Sequence, residues 1–340
     1  MSDVTRSTKA WFAGRTVLVT GGAGFIGSHV VDALGGVGAN VRVLDDFSSG
    51  RPENLANVAG QPQVVQGDVC DDAALDRAVP GVDLVIHMAA RCVRLSLFDP
   101  DDVHRVNSHG TLRVLQAARR HRVGRVVYIS SSEVYGSGIH MPMAEDHPLQ
   151  PTTIYGATKL AGELYVQTLT RSFDLPAVVI RPFNTYGPRA HFKGVYGEVI
   201  PRFTVRLLNG RRPVIFGDGL QTRDFTYVTD TVRGILTAAS VSDAQGQVFN
   251  IAHGEEVTVQ RLAELLAKHT NRDLEPELTE PRPADVRRHW ADVTRARGQL
   301  GFEASVDIDE GLSRYVAWFQ QRYPDPSVAL DDDAVRNWRL

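Results

Sequence analysis

The sequence predicts an α/β protein in which a doubly wound parallel sheet carries helices on both faces, followed by a smaller mixed α/β lobe. Three observations predict it. Between residues 16 and 180, short β-branched runs alternate with longer stretches of helical period, the mark of βαβ units. The first run feeds a turn with glycine at 21, 24 and 27, where such sheets place their first crossover. A chain of 340 residues also amounts to about two domains, and its texture changes at Arg181, after which proline and glycine become frequent.

Taken in order, residues 16–20, 41–44, 64–66, 84–87, 126–130 and 177–180 read as strands. Residues 24–34, 101–121 and 153–173 read as helices, the second with Val103, Val106, Leu112, Leu115 and Ala118 at helical spacing. Beyond Arg181 the reading is a helix over 198–208, a strand over 213–216 and helices near 230–240 and 258–268. Residues 1–180 thus form the sheet domain, and 181–322 a lobe partly interleaved with it. Residues 323–340, with Asp331, Asp332 and Asp333, form a peripheral tail.

Composition narrows the function. With 43% hydrophobic and 23% charged residues, disorder and coiled coil are excluded. The 37 basic and 40 acidic residues give a net charge of −3, so nucleic acid is not an expected partner, and an anionic ligand must be met by a local cluster. Residues 181–225 supply one, with eight basic residues against three acidic. Cys70 and Cys92 cannot build a disulfide framework, and no HExxH or Cys/His cluster suggests a metal. No window of 18 apolar residues and no signal-like N-terminus occurs, which points to a cytoplasmic protein off the membrane.

The glycine turn reads Gly21-Gly22-Ala23-Gly24-Phe25-Ile26-Gly27 and opens a helix. Such a turn lets backbone approach a pyrophosphate while the helix N-terminus offers unpaired N–H groups and a positive dipole end. Asp45 follows Gly27 by 18 residues, the position of a carboxylate that takes the adenosine ribose hydroxyls. A carboxylate there repels the extra phosphate of NADP, so the Rossmann-type site should take NAD; Arg42 and Arg51 are the nearby cations that could offset this. Asp68 and Val69, after the third strand, are placed to contact adenine, and Ala89 and Ala90 let backbone pass close to the cofactor. Tyr155 and Lys159 stand four apart on one helix face, where an ammonium should pull a phenol toward the range of a general base. Only four of the 37 cationic residues are lysine, yet position 159 is one: a compact ammonium, not a guanidinium fork, suits such a pair. Ser130, Ser131 and Ser132 close the fifth strand just before Glu133.

These motifs resemble the extended short-chain dehydrogenase/reductase family, in its nucleotide-sugar epimerase and dehydratase branch, over residues 15–322. The phosphate turn resembles the family's T-G-G-A-G-F-I-G, Asn107 to Thr111 its N-x-x-G-T, and Ser131, Tyr155 and Lys159 its catalytic triad. The resemblance adds Ser49, Gly50 and Asn107 to the cofactor residues. It implies that residues 181–189, Asn184 among them, hold nicotinamide and substrate phosphates, that Val199, Ile200 and Arg202 flank the nucleotide base, that Arg223 and Arg282 grip a diphosphate, and that Asp285 takes the nucleotide ribose, with Ala284 standing where the family has glycine. Ser132 is assigned to the substrate. Loop 91–96 is one residue shorter than usual in the family. Leu160, Leu164 and Leu169 with Ala157 and Ala161 are implied either as core or as a homodimer face.

The expected activity is that of an NAD-dependent epimerase acting at carbon 4 of a UDP-hexose or UDP-hexuronate. Dehydratases that use an Asp-Glu pair would carry aspartate where Ser132 stands, while Glu133 keeps a 4,6-dehydratase or a glucuronate decarboxylase as the alternative. A catalytically silent NAD sensor is the remaining one.

Overall fold

The computed structural model describes residues 5–282 and 285–330. Helix α1 (Arg6–Phe12) precedes β1 (Thr16–Thr20), α2 (Phe25–Gly36), β2 (Asn40–Asp45), β3 (Gln63–Gln66), α3 (Asp72–Ala78), β4 (Leu84–His87), α4 (Pro100–His104), α5 (Thr111–Arg120), β5 (Arg125–Ile129), α6 (Ile154–Phe173) and β6 (Ala177–Pro182). The second half holds β7 (Thr185–Tyr186), α7 (Val199–Leu208), β8 (Val214–Phe216), β9 (Thr222–Asp224), β10 (Thr226–Tyr227), α8 (Val228–Ser240), β11 (Val248–Ile251), β12 (Glu256–Thr258), α9 (Val259–Thr270), β13 (Glu277–Thr279) and α10 (Ile308–Arg322). All six predicted strands of the first half are present.

The seven-stranded sheet runs β11-β6-β5-β4-β1-β2-β3, parallel throughout. Its inner strands are apolar without alternation because both faces are covered: every residue of β4 is buried. Thr20 pairs with Leu44 on one side and His87 on the other, so three loops leave the sheet at the same level where the strand order reverses. That reversal opens the crevice in which such folds bind ligands.

Two expectations change. The helix over 101–121 is interrupted, because Arg105–Gly110 forms a π turn between α4 and α5. Asn107 causes it, since its buried side chain leaves the helix to accept a hydrogen bond from the Arg91 N–H (2.7 Å) and to donate one to the Arg91 carbonyl (3.2 Å). The second lobe is interleaved with the sheet: α8 packs its apolar face into the sheet's core, and β11 pairs with β6, so 228–251 belong to the sheet body. The described start of the tail is not peripheral either. Tyr323 packs on Phe192 and Phe319, and the Pro326 carbonyl accepts a bond from Asn209; Ala284 and the three aspartates at 331–333 lie outside the described residues. Helix α1, unpredicted, buries Phe12 in the core.

Helix α6 sets the depth of the cleft at the sheet's carboxyl edge. Thr153 caps it, its hydroxyl accepting from Gly156 N–H at 3.0 Å. Two glycines let it lie flush on β5 and the turn beyond. A Cβ at Gly156 would stand 2.6 Å from the Glu133 carbonyl, and one at Gly162 2.1 Å from the Tyr128 hydroxyl. The contact is then locked by a buried ion pair. Arg181 on β6 donates to both oxygens of Glu163 on α6 (2.9 and 2.6 Å), and the Ser130 hydroxyl donates to the same carboxylate at 2.5 Å.

Candidate active site

A cleft of about 530 Å³ follows the carboxyl edge of the sheet and turns under the second lobe. At one end Gly21 takes a φ of +70°, and a Cβ there would lie 2.8 Å from the Ala89 amide; only glycine lets these loops meet. Helix α2 starts at Gly24 with no side-chain cap, leaving its first amides for a ligand. Asp45 is buried, accepting from the Ala23 and Phe47 amides at 2.8 Å each. Burial raises its carboxyl against those two bonds. Arg42 turns away to Gln63 and the Ala78 and Pro80 carbonyls, and Arg51 lines a separate crevice, so neither faces this end. A glycine cradle, a free helix terminus and a buried carboxylate fit a dinucleotide without a ribose phosphate. Phe25, Ile26, Ser49, Asp68, Val69, Ala89 and Ala90 line the same end.

Two predicted cofactor residues sit behind the wall instead. Gly50 backs the Asp45 carboxylate, where a Cβ would come within 2.7 Å of it, and Asn107 holds Arg91 and Thr158. Both shape the site without lining it.

Midway along the cleft, β5 and α6 bring Ser131, Glu133, Tyr155 and Lys159 together. Ser131 caps the short turn over Ser132–Val134, its hydroxyl accepting from the Glu133 amide at 3.2 Å, and it stands near enough to the Tyr155 phenol to favour its ionised form. Lys159 is buried with its ammonium 4.7 Å from the centre of the Tyr128 ring. Burial pushes Lys159 down to about 7 against the pull of Glu163. Burial also raises Tyr155, with the Ser131 hydroxyl the main opposing influence and the Glu133 charge adding to the rise. The expected lowering of the phenol by its lysine neighbour is therefore outweighed in the protein alone. Glu133 is itself raised by burial, eased by Arg223. His87, between the Thr20 (2.7 Å) and Thr111 (2.9 Å) hydroxyls, is lowered to about 3 by burial and then by Lys159, and is neutral.

The far end is cationic. Arg282 lies 4.5 Å over the Phe216 ring and is lowered to about 10, first by burial and then by Arg94, Arg202 and Arg223, with Asp285 opposing. Four guanidinium groups thus gather at this end among Asp285, Glu133 and Glu198, and guanidinium forks suit a dianion. Arg223 is held by Asp285 (2.6 Å) and the Val286 carbonyl (2.6 Å). Ser132, Asn184, Val199, Ile200, Phe216 and Phe225 complete the wall. The basic cluster read from residues 181–225 is only partly here. Arg181 is consumed by Glu163, and Arg189 pairs with Asp32 on α2 at 2.7 Å; neither lines the cleft.

Sequence reading missed Arg94 and Glu198. The Arg94 guanidinium donates to the Val195 (2.6 Å) and Tyr196 (2.8 Å) carbonyls, joining the shortened loop to the second lobe. Glu198 precedes α7 and is raised to about 7 by burial against Arg94. The only signal for either was a charge inside a loop next to a motif. Among the described residues no group of His, Cys, Asp or Glu could hold a metal.

Fold and cleft together define a dinucleotide-dependent enzyme. The chain belongs to the NAD dependent epimerase/dehydratase family, whose model matches residues 17–252, and NAD is its cofactor. It is 40% identical over 314 residues to a dTDP-glucose 4,6-dehydratase of Streptomyces griseus, covering 90% of this chain and 94% of that one. It is also 40% identical over 310 residues to a UDP-glucose 4-epimerase of Mycolicibacterium smegmatis, covering 90% and 98%. Among solved structures, an epimerase of Methanothermobacter thermautotrophicus superposes with a TM-score of 0.90 at 34% identity, covering 95% and 96%.

One proton must leave the Tyr155–Lys159 pair before the phenol can serve as a base, and the Lys159 value of about 7 sets where the first one goes. The species with phenolate and ammonium is a tautomer of that singly deprotonated pair. Initial rates on a turned-over sugar nucleotide should therefore fall as pH drops below neutrality and level off above it. In Lys159→Met the rise should move upward, toward the burial-raised phenol. A rise at the same pH in both proteins contradicts this.

Proposed function

We propose that the protein is a nucleotide-sugar 4-epimerase acting on a UDP-hexose or UDP-hexuronate. The observation that carries this is the Ser131–Tyr155–Lys159 set on a turn with a single carboxyl. Removing water across carbons 5 and 6 needs both a base and an acid beside them, and Ser132 gives Glu133 no acidic neighbour. Bound NAD would supply the hydride acceptor and donor, held by the glycine turn and Asp45.

In the proposed reaction Tyr155 takes the proton of the 4-hydroxyl, and Ser131 shares that hydrogen bond. Lys159 holds the nicotinamide ribose and stabilises the phenolate. Arg223 and Arg282 clamp the diphosphate bidentately, Arg202 adds charge beside them, Asn184 positions the phosphates, and Asp285 takes the nucleotide ribose. A sugar anchored only through its diphosphate can present either face of the 4-ketone, and Tyr155 returns the proton after reduction. Uracil is the base named for the epimerase relative, and Val199, Ile200 and Phe216 offer it apolar contact. A second reading rests on Glu133, a buried carboxyl of raised pKa that could work on carbon 5 or 6 after the same oxidation, giving a 4,6-dehydratase or a decarboxylase.

The reading extends to a homodimer in the cytosol. Helix α6 carries Ile154 and Leu164 about half exposed (47% and 51%), with Ala157 and Ala161 between them on one stripe, a face that a second copy would cover. Sedimentation finding only monomer at micromolar concentration contradicts the dimer.

The test of activity is incubation with UDP- and dTDP-hexoses, UDP-glucuronate included, with products read by NMR. An isomer of equal mass is expected. Tyr155→Phe should lose about 10²- to 10⁴-fold in rate, and Glu133→Gln should stay within about tenfold of the parent. Loss of water or carbon dioxide, abolished by Glu133→Gln, supports the second reading instead.

A further inference from the structure

The loops around the adenosine end of the cleft are laced by an unbroken series of alternating charges. Asp46, just after β2, meets the Arg91 guanidinium at 3.1 Å; Arg91, after β4, reaches Asp102 on α4 at 2.6 Å; Asp102 holds Arg105 in the π turn at 2.7 Å; and Arg105 meets Asp68, after β3, at 2.7 Å. Arg91 also donates to the Ser48 hydroxyl, and Asn107 fixes its backbone from both sides. Asp46, Asp68 and Arg91 line the cleft beside Asp45 and Gly21. Arg91, with 12% of its side chain exposed, is the sheltered centre, while Arg105 at 44% is the open end.

The loop over 45–50, the turn over 67–69 and the loop over 89–94 are thus tied to one another by these side chains. We propose that this belt is the gate that retains the dinucleotide, and that its opening sets the rate at which NAD leaves. To free the adenosine end, the loops after β2 and β4 must part, which separates Arg91 from Asp46 and Ser48. A guanidinium shared by two carboxylates and largely removed from water resists this more than an isolated surface pair does. Retention suits a reaction that regenerates its cofactor in every cycle, and in that respect the inference rests on the proposed epimerase activity, although its test does not.

The experiment tracks NAD release from the purified holoenzyme by rapid gel filtration and chromatography of the retained nucleotide, with NAD association measured separately. Arg91→Gln and Asp102→Asn should each speed release about threefold to tenfold and speed association in parallel. Raising salt should speed release from the parent and do so less in Arg91→Gln. If Arg91→Gln fails to fold, Asp102→Asn, which lies outside the cleft, and the salt series carry the test. Release that is unchanged in Asp102→Asn and insensitive to salt overturns the gate. So does faster release with unchanged association, which would make the belt an ordinary binding contact. Neither result bears on which sugar is turned over.

Discussion

The seating of α6 on β5 is the constraint on which the rest of the molecule depends. It needs absent side chains at two places, since any Cβ at Gly156 or Gly162 would collide with the Glu133 carbonyl or the Tyr128 hydroxyl. It also needs the buried union of Glu163, Arg181 and Ser130. Removing one partner from such a union leaves an uncompensated buried charge, at a cost of about 3–5 kcal/mol. The bonds do more than hold. Arg181 also donates to the Tyr135 hydroxyl, which donates in turn to Asn250 on β11, so the network ties three adjacent strands to the helix. Only with α6 at this depth does Tyr155 reach Ser131, and only then is Lys159 dry enough to be lowered toward neutrality.

The cleft divides its electrostatic labour. At the dinucleotide end the positive charge is that of backbone amides and a helix terminus, while the nearby side chains are in acidic excess, with Asp45, Asp46, Asp68 and Asp102 against Arg91 and Arg105. The middle holds groups whose charged forms burial disfavours: Lys159 down, Tyr155 and Glu133 up. Charge developing there acts in a medium of low polarity, where each added charge counts for more. The far end is different, with Arg94, Arg202 and Arg223 acting on Arg282 beside Asp285. Under the proposed function a diphosphate occupies this end, which leaves the sugar between it and the phenol.

Much of this was legible in the sequence because its causes are local or periodic. Strands buried on both faces leave uninterrupted apolar runs, the phosphate turn must be glycine for backbone to pass, and Tyr155 and Lys159 share a face by helical spacing alone. What the sequence hid depends on partners remote in the chain. The π turn exists because Asn107 binds Arg91, 16 residues earlier. Arg181 and Arg189 counted as free cations until their carboxylates, Glu163 and Asp32, stood beside them. Gly50 and Asn107 belong to motifs that touch a cofactor in outline, yet here they act through Asp45 and Arg91. Arg94 and Glu198 sit in loops without period, where no spacing could mark them.

The central claim is that carbon 4 of the sugar is oxidised and reduced again in place, with no bond broken at carbon 5 or 6. It is tested most directly with a UDP-hexose deuterated at carbons 4 and 5, incubated with the enzyme in ordinary water and monitored by NMR and mass spectrometry. The account predicts that deuterium is found at carbon 4 of both epimers and that carbon 5 takes no solvent hydrogen. Deuterium at carbon 6 of a product lighter by one water, or solvent hydrogen at carbon 5, would contradict it.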